Sequence, residues 1–269
     1  MTRIAQCFDQ LRKADDRALV AYLTAGDPSP KHTPALVAAL EAGGADIIEL
    51  GVPFSDPIAD GPVIQRASER ALHAGTSLRT VLDLVREIRR RSQVPLVIFT
   101  YLNPVMRYGF PKFAADFAAA GADGALLIDL SVEEADPFVA EMRRHHLDTI
   151  FLAAPTSTDH RLKLVAQYST GFIYLVSRTG VTGEQDTVSN SVAPLVRRVR
   201  AVSRLPLAVG FGIYRPEHLT QLAPLADAAA VGSAFMRLVG DHQDDPALPE
   251  RLRDYTAGLK AGFRKLEVK

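Results

Sequence analysis

Residues 46–62 read DIIELGVPFSDPIADGP, a stretch that begins as a strand and ends as a loop. Most of its first five residues are apolar, which predicts a short buried strand over 46–50. Because side chains alternate along a strand, Glu49 lies on the same face as Ile47. A carboxylate on a buried strand is costly unless it is paired or used chemically. Glu49 is therefore a candidate functional residue; the alternative is a strand-end carboxylate that caps a neighbouring backbone N–H.

The loop that follows this strand holds two more acids, Asp56 and Asp60, among Pro53, Pro57 and Pro62. Proline fixes its own φ angle and restricts the residue before it, so this loop has few conformations. Stiff loops with acidic residues are typical of functional sites, which proteins place on the connections between rigid elements. The alternative is an acidic turn that is simply exposed to solvent.

Short apolar segments that predict strands recur eight times and alternate with helical segments along the chain. The helices are recognised by apolar residues at helical spacing or by a terminal glycine. The predicted strands are 18–24, 46–50, 95–101, 124–129, 149–154, 172–177, 206–210 and 228–231. The predicted helices are 4–12, 34–42, 63–73, 78–90, 112–120, 132–145, 159–168, 192–202, 216–223, 234–239 and 248–265.

This alternation is the signature of a parallel sheet with right-handed crossovers, which places the chain in the α/β class. Eight such units in 269 residues predict a single-domain (β/α)8 barrel, a TIM barrel, over 1–269 with extra short helices. The rival is an open doubly wound sheet. We disfavour it because no G-x-G-x-x-G motif follows the first strand and the units are evenly spaced.

Composition restricts the classes of partner that the chain can bind. Lys+Arg and Asp+Glu are both 31, so the net charge is zero, which argues against nucleic acids and anionic membranes as partners. Cys7 is the only cysteine, so no intrachain disulfide can form and a reducing compartment, the cytoplasm, is expected. No apolar run is long enough to span a membrane, and the N-terminus has no secretory signal. No pair of histidines has the spacing of a metal site.

In a TIM barrel, the loops that follow the carboxyl ends of the strands build the active site. Polar and aromatic residues of this chain gather at these positions, which supports a site there. The predicted members are Tyr22, Glu49, Asp60, Tyr101, Asp129 and Tyr174.

Two glycine clusters follow the last two strands, GFGI at 210–213 and Gly232-Ser233. Glycine lets backbone N–H groups approach an anion closely, and the helix that starts after Gly232 adds its dipole. The loops after strands seven and eight are also the common phosphate site of TIM barrels. The clusters predict a phosphate-binding site; the alternative is that these glycines only form tight turns.

Residues 177–184 read SRTGVTGE and open a long loop after the sixth strand. Two glycines among small polar residues predict a mobile lid over the site. The alternative is an ordinary surface loop.

Five segments of the chain carry a resemblance to a known family. The longest is 49–62, and the others are TAGDP at 24–28, YLNP at 101–104, SRTGVTG at 177–183 and GFGI at 210–213. Together they resemble the tryptophan synthase α subunit family and span strands one to eight in order. The resemblance implies a cytoplasmic lyase of tryptophan biosynthesis. Such an enzyme cleaves indole-3-glycerol phosphate, in a retro-aldol step, to indole and glyceraldehyde 3-phosphate.

The resemblance also implies the catalytic residues. Glu49 acts as general acid and base: it protonates the indole C3 carbon and then removes the glycerol hydroxyl proton. Asp60 stabilises positive charge at the indole N–H and takes that proton. A raised pKa from burial would suit Glu49, whereas Asp60 must stay ionised.

Further residues are implied to bind substrate. The residues implied to surround the indole ring are Tyr22, Tyr101, Leu126 and Phe211, with Tyr174 near the glycerol chain. The residues implied to bind the phosphate are Gly183, Gly212, Ile213, Gly232 and Ser233. Thr182 belongs to the same substrate-binding set, and Asp129 helps to hold the flexible loops near the partner interface. Three positions depart from the family pattern: Tyr22 where phenylalanine is common, Ser131 where proline is common, and Tyr214 after the GFGI motif.

The resemblance implies no metal and no organic cofactor in this subunit. Its implied partner is a pyridoxal-phosphate β subunit that joins indole to serine, in a heterotetramer of two α and two β subunits. Two alternatives stay open. One is a self-sufficient indole-3-glycerol-phosphate lyase, and the other is a barrel that only binds a phosphate ester and activates its partner.

Overall fold

The computed structural model describes residues 1–176, 191–210 and 212–264. Eight strands close into a barrel in which every neighbouring pair is parallel and the order follows the chain. The predicted TIM barrel is therefore confirmed, and the open doubly wound sheet is excluded. The strands, β1 to β8, are Ala18–Thr24, Ile47–Gly51, Leu96–Thr100, Gly124–Leu127, Asp148–Ala153, Ile173–Val176, Leu207–Gly210 and Ala228–Val231.

Helices surround the barrel and close one of its ends. In the described part of the chain, the α-helices, α1 to α12, are Arg3–Lys13, Thr33–Ala42, Pro62–His73, Leu78–Arg89, Leu102–Tyr108, Phe110–Ala120, Asp136–Arg144, Asp159–Tyr168, Val192–Arg200, Pro216–Leu222, Ser233–Asp241 and Leu248–Arg264. Short 3-10 helices occupy Pro30–His32 and Val132–Glu134. Within the same residues, no helix has both the length and the apolar character needed to cross a bilayer.

Proline accounts for the main difference from the predicted helices. The expected helix over 132–145 is divided into the 3-10 helix Val132–Glu134 and α7, which begins at Asp136 with Pro137 in its first turn. Proline lacks an N–H and is tolerated only where that group would have no helical partner. Thr158 is the N-cap of α8, because its Oγ1 accepts a hydrogen bond from the Arg161 N–H.

The barrel interior is filled by alternate strand residues such as Val20, Ile47 and Val97. Helix α1 closes the amino-terminal end, because its residues Ile4 and Phe8 belong to the same buried cluster. A second, larger cluster packs the helices against the outside of the barrel. With one end sealed, the interior opens to solvent only at the carboxyl ends of the strands.

Cys7 also lies on α1 and is partly buried. Its Sγ donates a weak hydrogen bond to the Asp46 carbonyl oxygen at 3.6 Å. Burial is the main reason that the pKa of the thiol is raised to about 12. The thiol therefore stays protonated at neutral pH and is a packing residue rather than a nucleophile.

Candidate active site

A cavity of about 640 Å³, partly open to solvent, lies at the carboxyl ends of the strands. Its wall includes both predicted acids, two of the predicted aromatic residues and members of both glycine clusters. The lining residues are Tyr22, Glu49, Asp60, Ile64, Phe99, Ile128, Leu152, Tyr174, Gly212, Ile213, Ala230, Val231, Gly232 and Ser233. The walls are mainly apolar with a few convergent polar groups, which is typical of a small-molecule site.

Glu49 lies on β2 with only 1% of its surface exposed. Its neighbours in the strand register are Tyr22 on β1 and Val97 on β3, which puts the carboxyl group inside the barrel. Among the described residues no hydrogen-bond donor reaches its Oε1. Burial raises the pKa of Glu49 to about 8. The carboxyl group therefore holds a proton near neutral pH and is free to give it to a ligand.

Asp60 lies in the loop after β2 and is also buried, with 6% of its surface exposed. Its Oδ2 accepts a hydrogen bond from the Tyr101 hydroxyl at 3.0 Å. The same hydroxyl oxygen accepts the Ala59 N–H at 3.0 Å, so Tyr101 ties the loop to the end of β3. Burial raises the pKa of Asp60 to about 6, and the Tyr101 hydrogen bond opposes that rise.

At neutral pH the two acids of the cavity are therefore in different protonation states. Glu49, with a pKa of about 8, is mostly neutral, whereas Asp60, with a pKa of about 6, is mostly a carboxylate. Pairs of acids whose environments separate their pKa values can act as proton donor and charge stabiliser in one reaction.

Two tyrosine side chains inside the barrel occupy space that neighbouring glycines leave free. A Cβ at Gly51 would collide with the Tyr22 hydroxyl, and a Cβ at Gly210 would collide with the Tyr174 hydroxyl. The Tyr22 Oη also accepts a hydrogen bond from the Thr24 Oγ1 at 3.2 Å. Burial holds the pKa of both phenols well above the ordinary value, so both stay neutral.

The far end of the cavity is formed by backbone rather than by charged side chains. Helix α11 begins at Ser233, and Gly232 is its N-cap, without a side-chain hydrogen bond to the first turn. Gly212 has a φ of 78°, a left-handed conformation that favours glycine. The first N–H groups of a helix lack helical partners and carry a partial positive charge. This end can therefore bind an anion, although none of the described lining residues is Lys or Arg.

The sequence profile of the family described as "Tryptophan synthase alpha chain" matches residues 8–261. The chain belongs to the tryptophan synthase alpha chain family. The tryptophan synthase alpha chain of Solibacter usitatus is 62% identical over 263 residues, which cover 98% of this chain and 98% of that protein. Membership of this family implies a lyase activity, as the resemblance predicted.

Solved structures agree with this assignment. The structure of tryptophan synthase subunit alpha from Legionella pneumophila superposes with a TM-score of 0.90 at 35% identity, covering 99% of this chain and 100% of that one. A chain of the Mycobacterium tuberculosis tryptophan synthase structure gives a TM-score of 0.90 at 42% identity, with 98% of both chains covered.

Some predicted site residues lie beside the cavity rather than on its wall. Leu126 is fully buried inside the barrel, and Ile128, two residues further along the same face, lines the cavity instead. Tyr101 acts through its hydrogen bond to Asp60. Asp129 lies outside the lining, and its Oδ1 accepts the Leu102 N–H at 2.6 Å, which caps the start of α5.

Three predicted site residues lie outside the described residues: Thr182, Gly183 and Phe211. The predicted lid, within 177–190, also falls there.

Several apolar lining residues are absent from the sequence-based prediction. Phe99, Ile128 and Leu152 each follow an inward-facing strand residue by two positions, so strand periodicity could have identified them. Ile64, in the first turn of α3, has no comparable signal, because its approach to the cavity depends on how α3 packs. In the described ranges no group of three His, Cys, Asp or Glu residues could hold a metal ion.

Proposed function

We propose that this chain cleaves indole-3-glycerol phosphate to indole and glyceraldehyde 3-phosphate, the lyase half-reaction of tryptophan synthase (EC 4.2.1.20). One observation carries the proposal. Glu49 is a buried carboxyl group whose Oε1 has no hydrogen-bond partner among the described residues, and it shares its cavity with a second acid, Asp60, and with the start of α11. Family membership supports the same reaction.

Proton transfer by Glu49 would drive the reaction in two steps. The neutral carboxyl group donates its proton to the indole C3 carbon, which leaves positive charge at the ring nitrogen. The resulting carboxylate then removes the proton of the glycerol hydroxyl next to the ring. The carbon–carbon bond breaks, the hydroxyl carbon becomes the aldehyde, and the bonding electrons return to the indole ring. The first proton stays on C3 of the indole product and Glu49 ends with the hydroxyl proton, so one residue serves as acid and base and is returned to its starting state.

Asp60 would stabilise the intermediate. Its carboxylate accepts a hydrogen bond from the indole N–H. As C3 is protonated and positive charge develops at the ring nitrogen, the carboxylate stabilises that charge and can take the N–H proton. The pKa of about 6 keeps it ionised at neutral pH. Its hydrogen bond to Tyr101 orients the carboxylate, so little reorganisation is needed during the reaction.

The cavity wall divides naturally between the ring, the glycerol chain and the phosphate. We assign the indole ring to the apolar part, with Tyr22 and Phe99 among its walls, and the glycerol chain to the region of Tyr174. We assign the phosphate to the backbone N–H groups of Gly212, Ile213, Gly232 and Ser233. Phe211, Thr182 and Gly183 keep their sequence-based roles in this proposal.

Proton transfers alone are enough to break the carbon–carbon bond in the proposed steps, so we propose that this chain needs no metal and no organic cofactor. We propose a pyridoxal-phosphate β subunit as its partner, in an α2β2 complex in the cytoplasm. The loop that carries Asp60 follows β2, and 178–190 follows β6 in chain order, so we propose that both belong to the end through which indole would leave. Asp129, which caps α5 at that end, would help to hold these loops.

The test is release of glyceraldehyde 3-phosphate and indole by the purified chain during titration with a β subunit. We expect weak cleavage by the chain alone and a rise of about tenfold or more at saturating partner, which needs only ~1.4 kcal/mol of coupling. An unchanged rate would favour the self-sufficient lyase. Binding of the substrate without any cleavage in either state would favour the non-catalytic activator.

A further inference from the structure

An ion pair joins the loop after β1 to α3, and the proposed reaction does not use it. Asp27, in the loop after β1, is fully buried. Arg70, on α3, donates from Nε to Oδ1 at 2.7 Å and from Nη2 to Oδ2 at 2.8 Å. A two-pronged pair of this kind fixes orientation as well as distance.

The Asp27 end of the pair is held firmly to the barrel. Gly26, the residue before it, has a φ of 85°, and its N–H donates to the Thr33 Oγ1 at 2.9 Å. A Cβ at Gly26 would overlap the Thr76 side chain, so the loop is packed without spare room. The pair is therefore anchored to β1, the strand that carries Tyr22.

The Arg70 end of the pair lies on α3, the helix that follows the loop with Asp60. Helix α3 begins at Pro62, two residues after Asp60, and Ile64 in its first turn lines the cavity. The Gln65 Nε2 also donates to the Asp60 carbonyl oxygen at 2.8 Å. A shift of α3 would therefore carry Asp60 with it.

The same guanidinium group contacts a third element, the helix of the predicted phosphate site. A Cβ at Gly240, on α11, would lie 3.0 Å from the Arg70 Nη2 and 3.4 Å from its Cζ. Asp27 is the main cause of the raised pKa of Arg70, with smaller effects from Asp241 on α11 and Glu69 on α3. Glycine inside a helix is unfavourable for backbone entropy, and here it leaves the space that the guanidinium group occupies.

We infer that the Asp27–Arg70 pair is a positioning device that sets Asp60 relative to the helix start at Gly232 and Ser233. The pair joins β1, α3 and α11 at one point, and each of these elements carries part of the cavity wall. The inference rests on the proposed function for the identity of the ligand. It adds a requirement for the substrate. Its ring must reach Asp60 while its phosphate reaches the start of α11, and the protein fixes the distance between these two groups.

Arg70→Met removes the guanidinium group and keeps much of the side-chain volume. Because displacements of about 1 Å can cost 10²-fold in rate, we expect kcat/KM to fall by about 10- to 100-fold. We expect the dissociation constant for indole-3-propanol phosphate, which has both the ring and the phosphate but lacks the chain hydroxyl groups needed for cleavage, to rise as well when measured by calorimetry. Arg70→Lys keeps the charge but loses the two-pronged geometry, so it should recover only part of the activity.

The matched control is a second partly buried arginine, on the opposite face of the barrel. The Arg89 Nη2 donates to the Asp123 Oδ2 at 2.8 Å, near the amino-terminal ends of β3 and β4. Arg89→Met should lower Tm by at least as much as Arg70→Met. At temperatures where both variants are folded by circular dichroism, Arg89→Met should keep kcat/KM within about twofold of wild type.

The exchange Gly240→Ala distinguishes a positioning role of the ion pair from a purely structural one. Alanine favours the helix more than glycine does, so a purely structural role predicts an unchanged or higher Tm and normal activity. The positioning role predicts a KM raised several-fold, because the new methyl group would lie 3.0 Å from the Arg70 Nη2 and the guanidinium group would have to shift by a few tenths of an ångström.

Equal activity losses in Arg70→Met and Arg89→Met at equal loss of stability would overturn the inference, as would full activity of both Arg70→Met and Gly240→Ala. Binding of indole-3-propanol phosphate needs no turnover and involves both groups, so it separates this inference from the proposed reaction. A wild type that binds the ester without cleaving indole-3-glycerol phosphate would refute the reaction. The affinity of Arg70→Met would still decide the positioning role.

Discussion

At the scale of single residues, the exchange Glu49→Gln tests the proposed acid and base. Glutamine keeps the shape of the side chain but can neither donate nor accept the proton. We expect kcat to fall by at least about 10²–10⁴-fold, with affinity for indole-3-glycerol phosphate largely kept. Single-turnover kinetics and equilibrium binding measure the two quantities separately. A kcat within tenfold of wild type would refute the role of Glu49.

The separated pKa values of the two acids predict a bell-shaped pH profile. Activity needs an ionised Asp60, with a pKa of about 6, and a protonated Glu49, with a pKa of about 8. We therefore expect kcat/KM to rise through pH values near the first pKa and to fall near the second. Asp60→Asn should lower the rate heavily and remove the acidic limb. A profile that stays flat across this range would contradict the assignment.

The same pKa shift links Glu49 to stability, with a definite sign. Its folded pKa of about 8 lies above the ordinary value of 4.5, so between these values the folded chain retains a proton that the unfolded chain has lost. Stability must therefore fall as pH rises through this window. We expect Glu49→Gln to gain Tm relative to wild type as pH increases from about 5 to about 8. A difference in Tm that is independent of pH would show that Glu49 is not buried as the structure has it.

At the scale of secondary-structure elements, the start of α11 carries the proposed phosphate site. Gly232 has ordinary space around it, since a Cβ there would lie 3.5 Å from the Tyr22 Cβ. Gly232→Val should therefore fold but crowd the phosphate oxygens with its methyl groups. We expect KM for indole-3-glycerol phosphate to rise about tenfold, a loss of ~1.4 kcal/mol. An analogue without phosphate serves as the control, and an equal loss for both ligands would place the phosphate elsewhere.

A repeated element stabilises the opposite end of the barrel. Three strands, β2, β4 and β8, are each preceded by an Ala-Asp dipeptide. Each carboxylate accepts a backbone N–H from the start of the preceding strand in sequence, and each also pairs with a cationic side chain. The hydrogen bonds join Asp46 to Leu19 at 2.7 Å, Asp123 to Leu96 at 2.7 Å, and Asp227 to Leu207 at 2.8 Å. The cations are Lys260 for Asp46, Arg3 and Arg89 for Asp123, and Arg200 for Asp227.

Asp123→Ala tests this element. It leaves Arg89 and a strand N–H without their partner, so we expect a loss of about 3–5 kcal/mol in the free energy of unfolding. Catalytic constants measured on the folded fraction should be unchanged, because the active site of such barrels lies at the carboxyl ends of the strands and Asp123 lies at the opposite end. Urea titration and steady-state kinetics make the comparison. A selective loss of kcat in a stably folded variant would mean that the two faces are coupled.

At the scale of the whole molecule, closure of the barrel depends on α1. Phe8 seals the amino-terminal end, with its ring centroid 6.0 Å from that of Phe172. Phe8→Ala should cost about 3–5 kcal/mol through lost burial and the resulting cavity. Because we propose a single domain over 1–269, the loss should appear as one shifted unfolding transition. Leu72→Ala, at a more exposed position, should stay within about 0.5 kcal/mol of wild type.

The order and kind of elements could be predicted from the sequence because their signals are local. Apolar periodicity identifies β1 and β8 to the residue, and glycines mark the ends of α2 and α6. Two segments were predicted less well, the helix α5 and the divided segment at 132–144. Each contains a proline near a helix start, and the sequence alone does not show whether a proline begins a helix or ends one.

By itself, the sequence determined an eight-unit barrel and the end of it at which Glu49 and Asp60 lie, since chain order alone sends the carboxyl ends of all parallel strands to one face. Only the tertiary structure decided that Glu49 is buried with a raised pKa, that Tyr101 holds Asp60, and that Arg70 meets Asp27. These properties arise between residues far apart in the chain. They depend on burial and on how the closed barrel aligns its strands, which no local pattern encodes.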